Sequence, residues 1–144
     1  MIKSYVWIVG VIGLIVVAVG YSLWTRTADS EYLSKTKHDS DRWAVIRDSN
    51  GDIIAVESTD DETWNTLQDL RQNQTEMWIG GIIESYDNKW NFRFRPDTII
   101  VARFTVEGGQ SNIQGISTDL DYWINIWTKE TYVLATVIEI HDTH

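Results

Sequence analysis

From Trp90 to Arg95 the side chains alternate without a break, Trp90, Phe92 and Phe94 on one side and Asn91, Arg93 and Arg95 on the other. Only an extended backbone repeats every two residues. This is therefore the pattern of a half-buried strand, with aromatics facing a core and arginines facing water. Pro96 has no N–H to donate and ends ladder pairing. Thr98 to Val106 is β-branched and more apolar, and reads as a second strand.

The rest of the chain after residue 42 obeys the same logic. Trp43 to Asp48 and Asp52 to Glu57 are apolar runs flanking Ser49-Asn50-Gly51. Asn-Gly between two such runs predicts a hairpin with a type I′ turn, which needs positive φ at both central residues. A calcium loop is the rival for these acidic residues, but the glycine comes too early for an EF-hand. Thr59-Asp60-Asp61-Glu62 is a capping-box pattern. It opens a helix to about Gln72, with Trp64, Leu67 and Leu70 on its apolar face. Met77 to Tyr86 reads as one strand, and Gly80-Gly81 within it predicts a bulge or a second backbone passing close. Ser111 to Leu120 forms a short helix on Ile113, Ile116 and Leu120. Asp121 to Trp127 stays open between strand and loop, and Thr131 to Ile140 is a last strand. The order β-β-α-β-β-β-(α)-β gives an α+β domain around an antiparallel sheet.

Ahead of this domain, Tyr5 to Trp24 is apolar and carries no charge. About 20 residues at 1.5 Å each cross the roughly 30 Å hydrocarbon core of a bilayer. Tyr5 and Trp7 at one end, with Tyr21 and Trp24 at the other, match the two interfacial aromatic belts. The expected layout is a transmembrane signal-anchor helix over residues 1–25, a polar juxtamembrane stalk over 26–42, and an extracytoplasmic α+β domain over 43–144. A cleaved signal peptide is the rival, since Ala18-Val19-Gly20 fits a small-x-small site. Orientation stays open. Counting Lys3 against Arg26, Lys35 and Lys37 argues for a cytoplasmic domain, whereas a signal-anchor exports the domain C-terminal to it. Ala18 and Ser22 form a small-xxx-small pair that would let another helix approach.

Charge narrows the partners. Lys3 alone of the 12 lysines and arginines precedes the apolar segment, so the remainder sets 11 basic against 21 acidic residues, a formal charge of −10. Such a surface repels phosphate, which argues against nucleic acid. The chain has no cysteine, which removes disulfides, thiolate metal sites and a cysteine nucleophile. No phosphate-binding loop and no G-x-S-x-G elbow occurs. No cofactor is expected.

Five residues are candidates for interaction. Arg93, Arg95 and Arg103 could line a patch for a carboxylate or an acidic partner. Trp123 and Trp127 belong to a chain rich in tryptophan, eight in all. Tryptophan serves a small core or a contact surface. His141 and His144, with Asp142 between them, could hold copper or zinc if the tail folds back. Asn73-Gln74-Thr75 is a glycosylation sequon.

The pattern Trp-x-Phe-x-x-x-Pro-Asp-x-Ile-x-x-Ala-x-x-x-x-Glu, here Trp90, Phe92, Pro96, Asp97, Ile99, Ala102 and Glu107, resembles one found in small secreted or single-span membrane proteins of uncharacterised function. Some of these belong to ammonia-oxidising archaea. The likeness extends over residues 43–141 and implies a fold and a location, with no catalytic residue. Relatives that carry cysteine after the glutamate differ from this chain, which has Gly108, Gly109 and Gln110 there, so no disulfide role carries over. Two functional expectations result. One is a non-catalytic, membrane-anchored extracytoplasmic domain mediating protein or envelope interaction, by contact with another protein or by self-association. The other is an accessory subunit of a membrane enzyme complex, with metal handling as one version of it. Exposure at Trp123 and Trp127 separates the first from a merely filled core.

Overall fold

The computed structural model describes Tyr32, residues 38–104 and residues 108–143. The chain divides into two compact units, Met1–Lys35 and Thr36–His144, and the architecture here is that of the second. The expected membrane segment lies outside the described residues. Among the described residues no helix is long and apolar enough to cross a membrane.

The second unit is an α+β domain. Among the described residues its strands are β1 (Arg42–Asp48), β2 (Ile53–Val56), β3 (Met77–Gly81), β4 (Ile83–Ser85), β5 (Phe92–Phe94), β6 (Ile100–Ala102), β7 (Gly109–Ser111) and β8 (Thr131–Asp142). Helix α1 spans Asp61–Asn73 and α2 spans Ile113–Thr118. The main sheet runs β2-β1-β8-β3-β6, and β4 pairs with β5 in a separate hairpin. β8 is the spine. Its first half pairs antiparallel with β3 and parallel with β7, and its second half pairs antiparallel with β1. Along it Thr131, Val133, Ala135 and Val137 are buried and the residues between them are not, the alternation of a strand with one face on a core. Val45 pairs with Glu139 and Ile46 with Val137, so Ile138 is a bulge in β8.

Helix α1 packs on β8 and β6, burying Trp64, Leu67 and Leu70 as its periodicity predicts. Its cap is Asp60, one residue later than the capping-box pattern predicts. The Asp60 carboxylate accepts from the Thr63 N–H at 2.7 Å, and Asp61 and Glu62 sit in the first turn, where the helix dipole favours acid. Trp90, Phe92 and Phe94 are all buried, and the Phe92 and Phe94 rings meet edge to face at 5.8 Å.

The structure corrects the sequence reading in several places. The strand expected over Met77 to Tyr86 is two strands in two sheets. A Cβ on Gly80 would collide with the Thr131 carbonyl of β8, and one on Gly81 would lie 2.7 Å from Thr98 Oγ1, so a backbone does pass close. Ile82 then donates to Thr98 Oγ1 at 2.9 Å and accepts from the Arg95 N–H at 2.8 Å, which turns the chain out of the main sheet. The strand expected from Thr98 is shorter, because Pro96–Thr98 is a 3-10 turn held by Thr98 N–H on the Arg95 carbonyl at 3.0 Å. Its end, residues 105–106, lies outside the described residues. The first hairpin forms, but only Gly51 in its turn has positive φ, +87°. The Asp48 carboxylate sets that turn instead, accepting from Asn50 and Asp52 N–H at 2.9 and 3.0 Å. Its other oxygen takes the Ile113 N–H at 2.9 Å and so ties α2 to β1.

Candidate interaction site

Residues 122–127 settle into neither strand nor loop but a π-helical turn, Tyr122–Trp127. The Thr128 N–H reaches back to the Trp123 carbonyl at 3.3 Å, and Thr128 ends the turn in the left-handed region at φ 56°. Gly109 of β7 explains how the turn docks. A Cβ there would lie 2.7 Å from the Trp123 ring and 3.0 Å from Trp127 Nε1, so only glycine admits both indoles. The two indoles meet near-perpendicular at 6.4 Å, and Trp127 Nε1–H donates to the Glu130 carbonyl at 3.2 Å. Trp123 and Trp127 are thus half-buried supports. Their neighbours carry the outer surface: Tyr122 is exposed, and Ile126 is 67% exposed. Five of the six residues are apolar or aromatic, and none is buried.

The three arginines end up in different situations. Arg93 is enclosed. Its Nε donates to Glu84 at 2.7 Å, its Nη1 to Asp39 at 2.8 Å, and Glu57 lies 3.8 Å away. Its guanidinium also covers the Tyr86 ring at 4.3 Å. Burial works against the Arg93 charge, but the hydrogen bonds to Glu84 and Asp39 outweigh it and hold its pKa above the usual value. Glu57 is itself buried, which pushes its carboxyl up, against the Asp39 N–H at 3.0 Å and the Arg93 charge. Burial raises the Tyr86 phenol as well, with the charges of Asp39 and Glu57 adding to it. Arg95 makes a local surface pair with Asp97 at 3.0 Å. Arg103 is exposed and, among the described residues, has no ion pair. Arg93 therefore clamps the β4–β5 hairpin to the segment before β1 and is not available as a docking cation.

His141 pairs across the β1–β8 ladder with Trp43, and their rings stack at 4.6 Å. His38 stacks on the same indole at 3.9 Å and lies 3.6 Å from Glu57. His38 and His141 thus both lie against the Trp43 indole. His141 Nε2 lies 2.9 Å from Glu139, and His144 lies outside the described residues. Among the described residues no group of three or more histidine, aspartate or glutamate side chains is placed to hold a metal. Burial lowers the His38 pKa, the His141 ring adds to this, and Asp39 opposes it. Asn73 is the last residue of α1 and is exposed. A shallow groove of about 280 Å³ runs between Arg71 of α1 and Gln74 just past its end on one side and Thr136 to Ile138 of β8 on the other.

Sequence reasoning identified the two tryptophans but missed Tyr122 and Ile126, the residues that face outward. The signal was present, because apolar side chains at 122, 123, 124, 126 and 127 exceed what one buried helical face accommodates. The chain matches no family model, no curated protein and no solved structure.

Proposed function

We propose that this protein is a non-catalytic, membrane-anchored domain held outside the cytoplasm, and that it binds another protein through the turn Tyr122–Trp127. One observation carries the reading: a six-residue turn, apolar or aromatic at five positions, is fixed in place by two half-buried indoles, yet none of its residues is fully buried. Apolar residues presented by a rigid element are what contact hot spots are made of. The uncharged run Tyr5–Trp24 supports the anchor, and the acidic remainder supports the exterior location.

Full-length protein, tagged after His144 and extracted in mild detergent, tests the contact. A partner at fixed ratio is expected to co-purify, and to be lost on Ile126→Asp with the circular dichroism unchanged. A partner retained at the same ratio by that variant would remove the turn from the interface. If the partner is an enzyme complex of the membrane, the chain is its accessory subunit. Location is tested through the absence of cysteine. Gln72→Cys should react with an impermeant maleimide in intact cells, and labelling only after lysis would overturn the exterior placement.

A further inference from the structure

The edge of the main sheet at β6 carries a second contact. Among the described residues β6 has one ladder neighbour, β3. Its outer side is a row of backbone groups without a partner strand. It also leaves large apolar side chains in solvent, Ile100 at 37% and Phe104, just past the strand, at 79%. Natural edges are blunted by a central charge, a proline or a bulge, and Ile100, Val101 and Ala102 supply none of these.

The local sequence says what fits there. Asp97-Thr98-Ile99-Ile100-Val101-Ala102-Arg103 has an acid three residues before Ile100, an arginine three residues after it, and apolar residues around it. We propose that β6 pairs antiparallel with β6 of a second copy of this chain, about a two-fold axis through Ile100. This register sets Ile100 against Ile100, Val101 against Ile99 and Ala102 against Thr98. It brings Arg103 opposite Asp97 and Phe104 opposite Pro96, each twice, as an isologous interface requires. Arg103 has no partner within its own copy among the described residues, and the Asp97 side chain is 59% exposed. Because Asp97 lies in the 3-10 turn rather than the strand, the long arginine side chain spans the last step, and the carboxylate is shared with Arg95. The chain's net charge of −9 opposes self-association at long range. Only a register that joins opposite charges works against that, and shifting it by two residues sets Arg103 against neutral Ile99 in one direction and against the like charge of Arg95 in the other. The pairing rests on the protein-binding reading in naming one partner, but it uses a surface other than Tyr122 and Ile126, so either can fail alone.

A single introduced thiol can bond only with its counterpart, because the chain has no cysteine. Residues on the axis of an antiparallel pair lie roughly 4.5–5.5 Å apart between Cα atoms, within disulfide range. Full-length Ile100→Cys in mild detergent is expected to form a disulfide dimer about tenfold faster than Gln72→Cys on the exposed face of α1, the measure of a raised local thiol concentration. Adding Arg103→Asp should slow the Ile100→Cys reaction, and adding Asp97→Arg to that should restore it. Both positions are exposed, so the folded domain is retained. Equal rates for Ile100→Cys and Gln72→Cys overturn the proposal, as an association made by the apolar segment alone would produce. A charge reversal without effect, or one that the double exchange fails to rescue, overturns this register. Loss of the detergent-extracted partner on Ile126→Asp with unchanged Ile100→Cys dimerisation would leave both contacts standing as separate surfaces.

Discussion

The two edges of the main sheet are finished in opposite ways. At β2 the edge is closed: Trp90 Nε1–H donates to the Ile53 carbonyl at 2.7 Å, and β5 packs beside the strand. The hairpin that carries Trp90 is in turn fastened by Arg93 to Asp39 ahead of β1, with Glu84 of the same hairpin holding the guanidinium. At β6 the edge keeps Ile100 and Phe104 in water and ends in Arg103, which has no ion pair among the described residues. A small sheet has too little core to leave both edges uncovered. The lesson is that this domain spends its aromatic hairpin on one edge and leaves the other for contact.

Removing the cover should do most damage. Trp90→Ala takes away a buried indole and its hydrogen bond, and is expected to cost about 3–5 kcal/mol in urea unfolding. A loss below about 1 kcal/mol would mean that the β2 edge does not depend on it. Next comes Arg93→Leu, which takes the guanidinium charge from beside the buried Glu57. A loss of roughly 2–3 kcal/mol is expected, with part of it recovered by Glu57→Gln in the same chain. No recovery would show that Arg93 acts through packing on Tyr86. Changing the open edge should matter least: Ile100→Thr is expected to shift stability by no more than about 0.5 kcal/mol while weakening dimer formation. A large shift there would mean that the edge is covered after all.

Acid sharpens the same contrast from the closed side. The folded pKa of His38 lies below its ordinary 6.5. The stability it contributes is therefore complete above pH 6.5 and is lost as pH falls through the folded pKa. Glu57 has the opposite sign: with its pKa raised above 4.5, its contribution is present at low pH and is lost as pH rises through the folded value. The His38 effect is isolated by His38→Phe, which keeps a ring on Trp43 but cannot protonate. The urea midpoint of the wild type should fall more than that of His38→Phe between pH 7.5 and 5.5, and parallel curves would exclude His38 as the cause.

Periodicity made much of this legible. The pair Phe92 and Phe94, the face of Trp64, Leu67 and Leu70, and every second residue of β8 from Thr131 to Val137 are local patterns, and each is buried. Trp90 is buried too, but from a turn, because Asn91 is left-handed at φ 61° and the strand begins only at Phe92. What stayed hidden was set by distant partners. Nothing near Ile82 in sequence announces that Thr98 will take its N–H, and the Asp48 carboxylate meets Ile113 across 65 positions. Arg93 looked like a solvent-facing residue because alternation reports a face and not what lies across it. For the contact surface, composition pointed to tryptophan, whereas the fold uses the indoles as a base and turns Tyr122 and Ile126 outward.

The place of β8 has a consequence for how the domain comes into being. Among the described strands, the one that touches β1, β3 and β7 comes last in sequence, so a growing chain holds the others with no centre to join. Until residues 131–142 emerge, the described strands can form only the β1–β2, β3–β6 and β4–β5 pairs, and isolated two-stranded pairs are marginal in water. Folding must then wait for long-range closure, which is slow. A polypeptide that stays open until its last strand arrives can still be threaded through a translocation pore.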